Sequence, residues 1–346
     1  MHFQIPTVLS VLIGIGGIAT YIPEAHAQSS GAFGGYTLGF VFDTRISALR
    51  PLSGIPGAAL LGAPLDSGGP VRRAFVAPRQ NYAIALTDAG AMVVRLVSST
   101  DPPVVTPLGI DSAAAGLVAL SPNGAAAAIF STDEALIRIV TGLPDAPVVA
   151  RSVPVGAVPG SIRLLAITND AGVLIAVTHD RSTDSTSPDA MVVVDNDGNG
   201  QNLTNSTHVS ALQFAGDAHD LLFTDDSDDT LSIIQGLPDA PAFRVLADGS
   251  AGISGPVALN ISSTGNLVVA NGRAANVLVL DSGGSQIGAY PCTVTPTGLA
   301  RLNGNSVFLL NVISNGDPLW LFDGDSSTPR VMFVPVDQLD PQSVGQ

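Results

Sequence analysis

Any demanding chemistry in this chain would have to come from carboxylates. Asp195-x-Asp197-x-Asn199-Gly200 alternates oxygen-bearing side chains ahead of a glycine, the first half of a loop that surrounds a hard cation such as calcium. The position where a bidentate Glu would complete that loop holds Ser206, and no helical pattern flanks it, so the run also reads as a polar hairpin turn. The densest acidic cluster is Asp225, Asp226, Asp228 and Asp229. Carboxylates this close repel one another unless a cation or water lies between them. Both runs are therefore candidate metal ligands, and calcium is the one cofactor they suggest.

Nucleophilic chemistry has less to draw on. Past the first segment the histidines are His179, His208 and His219. His179 and His219 each precede an aspartate (Asp180, Asp220), but neighbours on a strand point to opposite faces. No Gly-x-Ser-x-Gly elbow joins a strand to a helix, and no phosphate-binding glycine loop precedes one. The single thiol, Cys292, has no partner for an internal disulfide and sits in a strand-like stretch, Ala289 to Val294, where it reads as buried and inert. Trp320, within Pro318 to Phe322, reads as strand packing. No catalytic residue is assigned.

The elements that must position these groups are short strands. Among 346 residues there are 37 Gly and 25 Pro, and the apolar runs are five to seven residues long with turn residues between them. All 14 basic residues are arginine, against 29 acids, for a net charge of −15. Such a chain repels phosphate backbones, which argues against nucleic acid as a partner. The first 27 residues read as an export signal: an apolar run from Ile5 to Thr20, then Ala25-x-Ala27 as a small-residue cleavage site. The amino-terminal Met1-His2-Phe3-Gln4 departs from the pattern in carrying no Lys or Arg. Cleavage after Ala27 leaves no membrane span and predicts a secreted or periplasmic protein with a flexible lead-in over residues 28–36.

The strands repeat. Gly142-Leu143-Pro144-Asp145-Ala146-Pro147 recurs 94 residues later as Gly236-Leu237-Pro238-Asp239-Ala240-Pro241, and each copy follows an apolar strand. A second marker is a turn between two apolar strands at Asn81, Gly124, Gly172, Ala218, Gly265 and Gly304, spaced 39 to 48 residues apart. One unit thus reads strand, turn, strand, acidic loop, strand, turn, strand. Four antiparallel strands in about 45 residues make a propeller blade. The expected fold is all-β: a single β-propeller over residues 37–340, seven blades favoured and six with an amino-terminal extension open, followed by a tail at 341–346. Gly39–Asp43 and Ser47–Leu52 look like outer strands of a further blade, with Ala58–Leu65 as a further addition. The loops carrying Asp88, Asp133 and Glu134, Asp180 and Asp184, Asp225 to Asp229, and Asp317 should share one face.

The turn Ser121-Pro122-Asn123-Gly124 resembles the blade turn of WD-like and YVTN-type bacterial propellers. The run from Ala190 to Thr204 resembles the hairpin of TolB-type blades, in which a strand ends in Asp, a Gly/Asn turn follows, and Leu-Thr opens the next strand. These families include periplasmic scaffolds, sugar-lactone hydrolases and surface proteins, so the resemblance implies a fold without selecting a function. The expected role is an exported binding or interaction module, its partner a protein or small molecule, without catalytic activity. The alternative is a metal-dependent hydrolase of the lactonase kind, in which Asn169, Asn260, Asp225 and His179 would surround a metal near the central axis.

Overall fold

Strand residues buried on both faces need no polar–apolar alternation, and the second strand of each repeat shows this. Tyr82–Thr87 and Ala126–Ser131 are buried at every position, and Leu174–His179 at all but the last. In the computed structural model, which describes residues 36–96, 102–111, 115–179, 188–206, 208–313 and 317–336, such strands lie inside seven antiparallel sheets. Each sheet is a meander in chain order, and the blades span 37–61, 71–110, 115–154, 161–206, 209–247, 256–291 and 300–334. The choice between six and seven blades therefore resolves to seven. Residues 1–27, read above as an export signal, residues 28–35, Asp180, Asp184 and the tail at 341–346 lie outside the described residues.

Seven hydrophobic clusters hold the ring together, one in each gap between neighbouring blades. Ile129 and Val140 of blade 3 pack with Ile84 and Val93 of blade 2, for example. The cluster joining Leu38, Val41 and Leu52 of blade 1 to Leu309, Leu319 and Leu321 of blade 7 closes the circle. Thin, repeated cores suit small branched side chains, which is why a sequence with 5% aromatics can build them.

The turns repeat as faithfully as the strands. Between first and second strands, Ser121, Thr168 and Ser262 are buried, and each hydroxyl accepts the amide of Ala126, Val173 or Asn266. Between second and third strands, a four-residue turn ends in a left-handed residue at Ala135, Asp229 and Ala275. The two Gly-Leu-Pro-Asp-Ala-Pro copies join third to outer strands in blades 3 and 5, each with a cis proline and with Ala146 or Ala240 donating its amide to Gly142 or Gly236.

Blade 1 departs from the pattern. Among the described residues it has three strands, Thr37–Asp43, Ala48–Ser53 and Leu60–Leu61, where the others have four. Its first strand ends in the same four-residue turn, with Ser47 left-handed, so it corresponds to a second strand. Where an outer strand was expected, Thr37–Asp43 thus faces the axis. The amide of Phe40 donates to Oε1 of Gln80 (2.7 Å), whose Nε2 donates to the Arg301 carbonyl of blade 7 (2.5 Å). Asn303 donates its amide to Leu38 O and its Nδ2 to Thr37 O. Side chains of blades 2 and 7 thereby satisfy polar groups at an edge that a strand would otherwise pair.

Candidate ligand-binding site

Several of the acidic residues singled out in the sequence, Asp195, Asp225, Asp226 and Asp229, take hydrogen bonds or ion pairs from their own chain. Asp195 opens the turn between the third and outer strands of blade 4. Its Oδ1 accepts the amides of Asp197 (2.9 Å) and Asn199 (2.8 Å), and its Oδ2 accepts Nδ2 of Asn199 (3.0 Å). The Asn199 side-chain bond, with these amides, holds the carboxyl below its usual range. Asp281 does the same in blade 6, accepting the amides of Gly283 and Ser285. Gly198 and Gly284 are both left-handed, and a Cβ on either would collide with a carbonyl of the preceding blade, Pro154 O or Leu246 O. An aspartate cap with a left-handed glycine three residues on is thus a hairpin turn used twice.

Asp225 is 1% exposed. It accepts the Ser206 hydroxyl and the amides of His208 (2.9 Å), Ser227 (2.9 Å) and Asp228 (3.0 Å). Burial pushes its pKa up, but these donors outweigh it and leave the carboxyl below its ordinary value. Asp226 meets Nδ1 of His208 (2.5 Å), and Asp229 takes Arg273 (2.6 Å) and the Gly255 amide (2.6 Å). Asp228 donates its own amide to the knot and has further contacts. On the same face Arg138 pairs with Glu134 and Arg72 with Asp88. Among the described residues no group of three or more His, Cys, Asp or Glu is placed to hold a metal ion.

The remaining candidates are dispersed. His179 contacts Asp189, which also takes Arg163, and His219 contacts Asp170. His179 and Asp225 end second strands, whereas Asn169 lies in the first turn of blade 4 and Asn260 near the end of an inner strand, so the four do not converge. Cys292 is half-buried beside the outer strand of blade 6, and burial pushes its thiol up to about 11, leaving little thiolate at neutral pH. Trp320 packs against Phe333 with ring centroids 6.0 Å apart.

The concave site lies elsewhere, along the axis. Inner strands Val71–Val76, Ala115–Leu120, Ser161–Ile167 and Val209–Ala215, with Thr37–Asp43 of blade 1, surround a cavity of about 480 Å³. Its wall is largely apolar: Phe40, Phe75, Leu120, Ile167 and Ile313 contribute to it, and Gln80, Gln213, Asn260 and Arg301 are its polar members. A second volume of about 540 Å³ lies at the face carrying the first turns, lined by Arg79, Asn123, Asn169, Asp217 and Asn303, and it shares Gln213 and Arg301 with the first. The shared residues make it a polar mouth to an apolar chamber. Hydrogen bonds between turns shape the mouth: Asn169 accepts the Asn123 amide and donates to Asp217 (2.6 Å), and Tyr82 donates to Gly124 O (2.7 Å).

Sequence reasoning missed Arg301. It occupies the position at which other inner strands end in Val76, Leu120, Ile167 and Ile261, so the blade register, once assigned, makes it the cation in an apolar column. Burial pulls its pKa below the ordinary arginine value, with Asp325 partly opposing this.

No protein-family model matches this sequence, and no curated protein matches it. Solved structures do. A candidate 6-phosphogluconolactonase from Bacteroides fragilis aligns over 87% of this chain and 94% of its own at 12% identity, with a TM-score of 0.55. A functionally unknown protein from Desulfotomaculum acetoxidans gives 12% identity and a TM-score of 0.55, over 87% of this chain and all of its own. Virginiamycin B lyase from Staphylococcus aureus gives 11% identity and a TM-score of 0.51, over 77% and 84%. The fold is a seven-bladed β-propeller. At such identities the likeness is one of architecture alone.

Proposed function

We propose that this chain is an exported β-propeller that binds a small ligand in its central channel and carries out no reaction on it. The observation that carries this reading is the apolar chamber of about 480 Å³ opening through a polar mouth. That volume and that distribution of polar groups are what small-molecule sites share. The dispersal of His179, Asp225, Asn169 and Asn260 favours binding over metal-dependent hydrolysis, which would need such donors around one point. The leader read from residues 1–27 supports export.

The test is binding of a neutral fluorescent probe, N-phenyl-1-naphthylamine, to the purified protein. Gln213 lines both chamber and mouth, so Gln213→Trp should block the passage. The expected result is saturable fluorescence enhancement with the wild type and its loss in the variant, at a similar thermal midpoint. Absence of enhancement in the wild type, or equal enhancement in both, would overturn the reading.

A further inference from the structure

We propose that the ligand is an amphipathic carboxylate, its apolar body in the chamber and its anionic group on Arg301; this rests on the binding reading above. The protein has 29 acids to 14 arginines, and several arginines are matched by carboxylates, as Arg45 and Arg50 are by Asp43, Arg163 by Asp189 and Arg273 by Asp229. Others, such as Arg73 and Arg151, spend the guanidinium on backbone carbonyls. The mouth holds two more without an acidic partner. Among the described residues neither Arg79 nor Arg301 has a carboxylate within ion-pair distance.

Arg301 is the more telling of the two. It is half-buried, lines both volumes, and spends Nη1 on the Ile261 carbonyl at 3.3 Å. The other edge of its guanidinium, Nε and Nη2, has no protein partner among the described residues. Two parallel N–H donors on a planar fork match the two oxygens of a carboxylate, and partial desolvation strengthens the pairing. A half-buried cation with no ion-pair partner is costly to maintain, Asp325 offsets that only in part, and a bound anion would remove more of the cost. Arg79, exposed at the same mouth, adds attraction on approach, and Gln213 supplies an amide donor nearby. Below Arg301 the chamber offers the half-buried Phe75, Val118, Leu120 and Leu212, against which an aliphatic or aromatic body buries its surface.

The experiment compares decanoate with decanol as competitors for N-phenyl-1-naphthylamine on the unaltered protein and on Arg301→Met. A hydrogen-bonded charge pair sets the expected margin, roughly tenfold to a hundredfold in favour of decanoate on the wild type. That margin should collapse in Arg301→Met while decanol competes as before. Equal competition by the two on the wild type, with the probe still bound, would overturn the carboxylate assignment and leave the binding reading intact. Failure of the probe to bind at all would remove both. The wild-type comparison needs no substitution, so its outcome stands even where the variant folds poorly.

Discussion

At the scale of single residues, the carboxylates of this protein are structural anchors. Asp195 and Asp281 cap equivalent turns, so their replacement by alanine should lower the thermal midpoint by similar, small amounts. Because turn amides already engage the oxygens of Asp195, millimolar calcium should leave the midpoint unchanged in the wild type and in Asp195→Ala alike. A calcium-dependent rise lost in the variant would contradict this. Asp225 is different in degree: Asp225→Ala would strand four donors in a buried place and should cost about 3 kcal/mol, read by denaturant unfolding. The pKa values of Asp43, Asp189 and Asp225 are all depressed in the fold. A depressed carboxylate stabilises fully above its unfolded value, near 4, and loses that stabilisation as pH falls through its folded value. The midpoint should therefore hold from about pH 7 to 5 and fall below about pH 4, less steeply in Asp225→Asn.

At the scale of elements, strands and turns were legible because their signals are local. Asn81, Gly124, Gly172, Ala218, Gly265 and Gly304 mark the six hairpins that the structure forms between first and second strands. The Gly-Leu-Pro-Asp-Ala-Pro pair likewise marks equivalent turns two blades apart. The run from Asp195 to Gly200 read both as a cation loop and as a polar hairpin turn, because an aspartate capping its own turn uses the same residue types, and sequence spacing does not distinguish the two. The place of Thr37–Asp43 beside the axis was hidden because it depends on Gln80 of the next blade and on blade 7 at the far end of the chain. Gln80 makes that junction, and Gln80→Ala would uncover the Phe40 amide and the Arg301 carbonyl. The expected loss is roughly 1 to 3 kcal/mol, with faster hydrogen exchange confined first to blade 1. Gly198→Ala should be at least as damaging, since its Cβ would overlap Pro154 O at a left-handed position.

At the scale of the whole molecule, the proposed binding site depends on ring closure. Seven interblade cores fix the inner strands around one axis, and the chamber exists only because all seven blades are in place. Its lining is drawn from strands spread along the whole chain, and Arg301 gains meaning only beside Arg79 and Gln213 at one mouth. That is why the architecture could be read from local patterns and the site could not. The most direct test is a crystal structure of the protein grown with saturating decanoate. Density for the alkyl chain should lie against Phe75 and Leu120, with the carboxylate within hydrogen-bond distance of the Arg301 guanidinium. An empty chamber at saturation, or decanoate bound only on the outer surface, would contradict a ligand-binding channel of this kind.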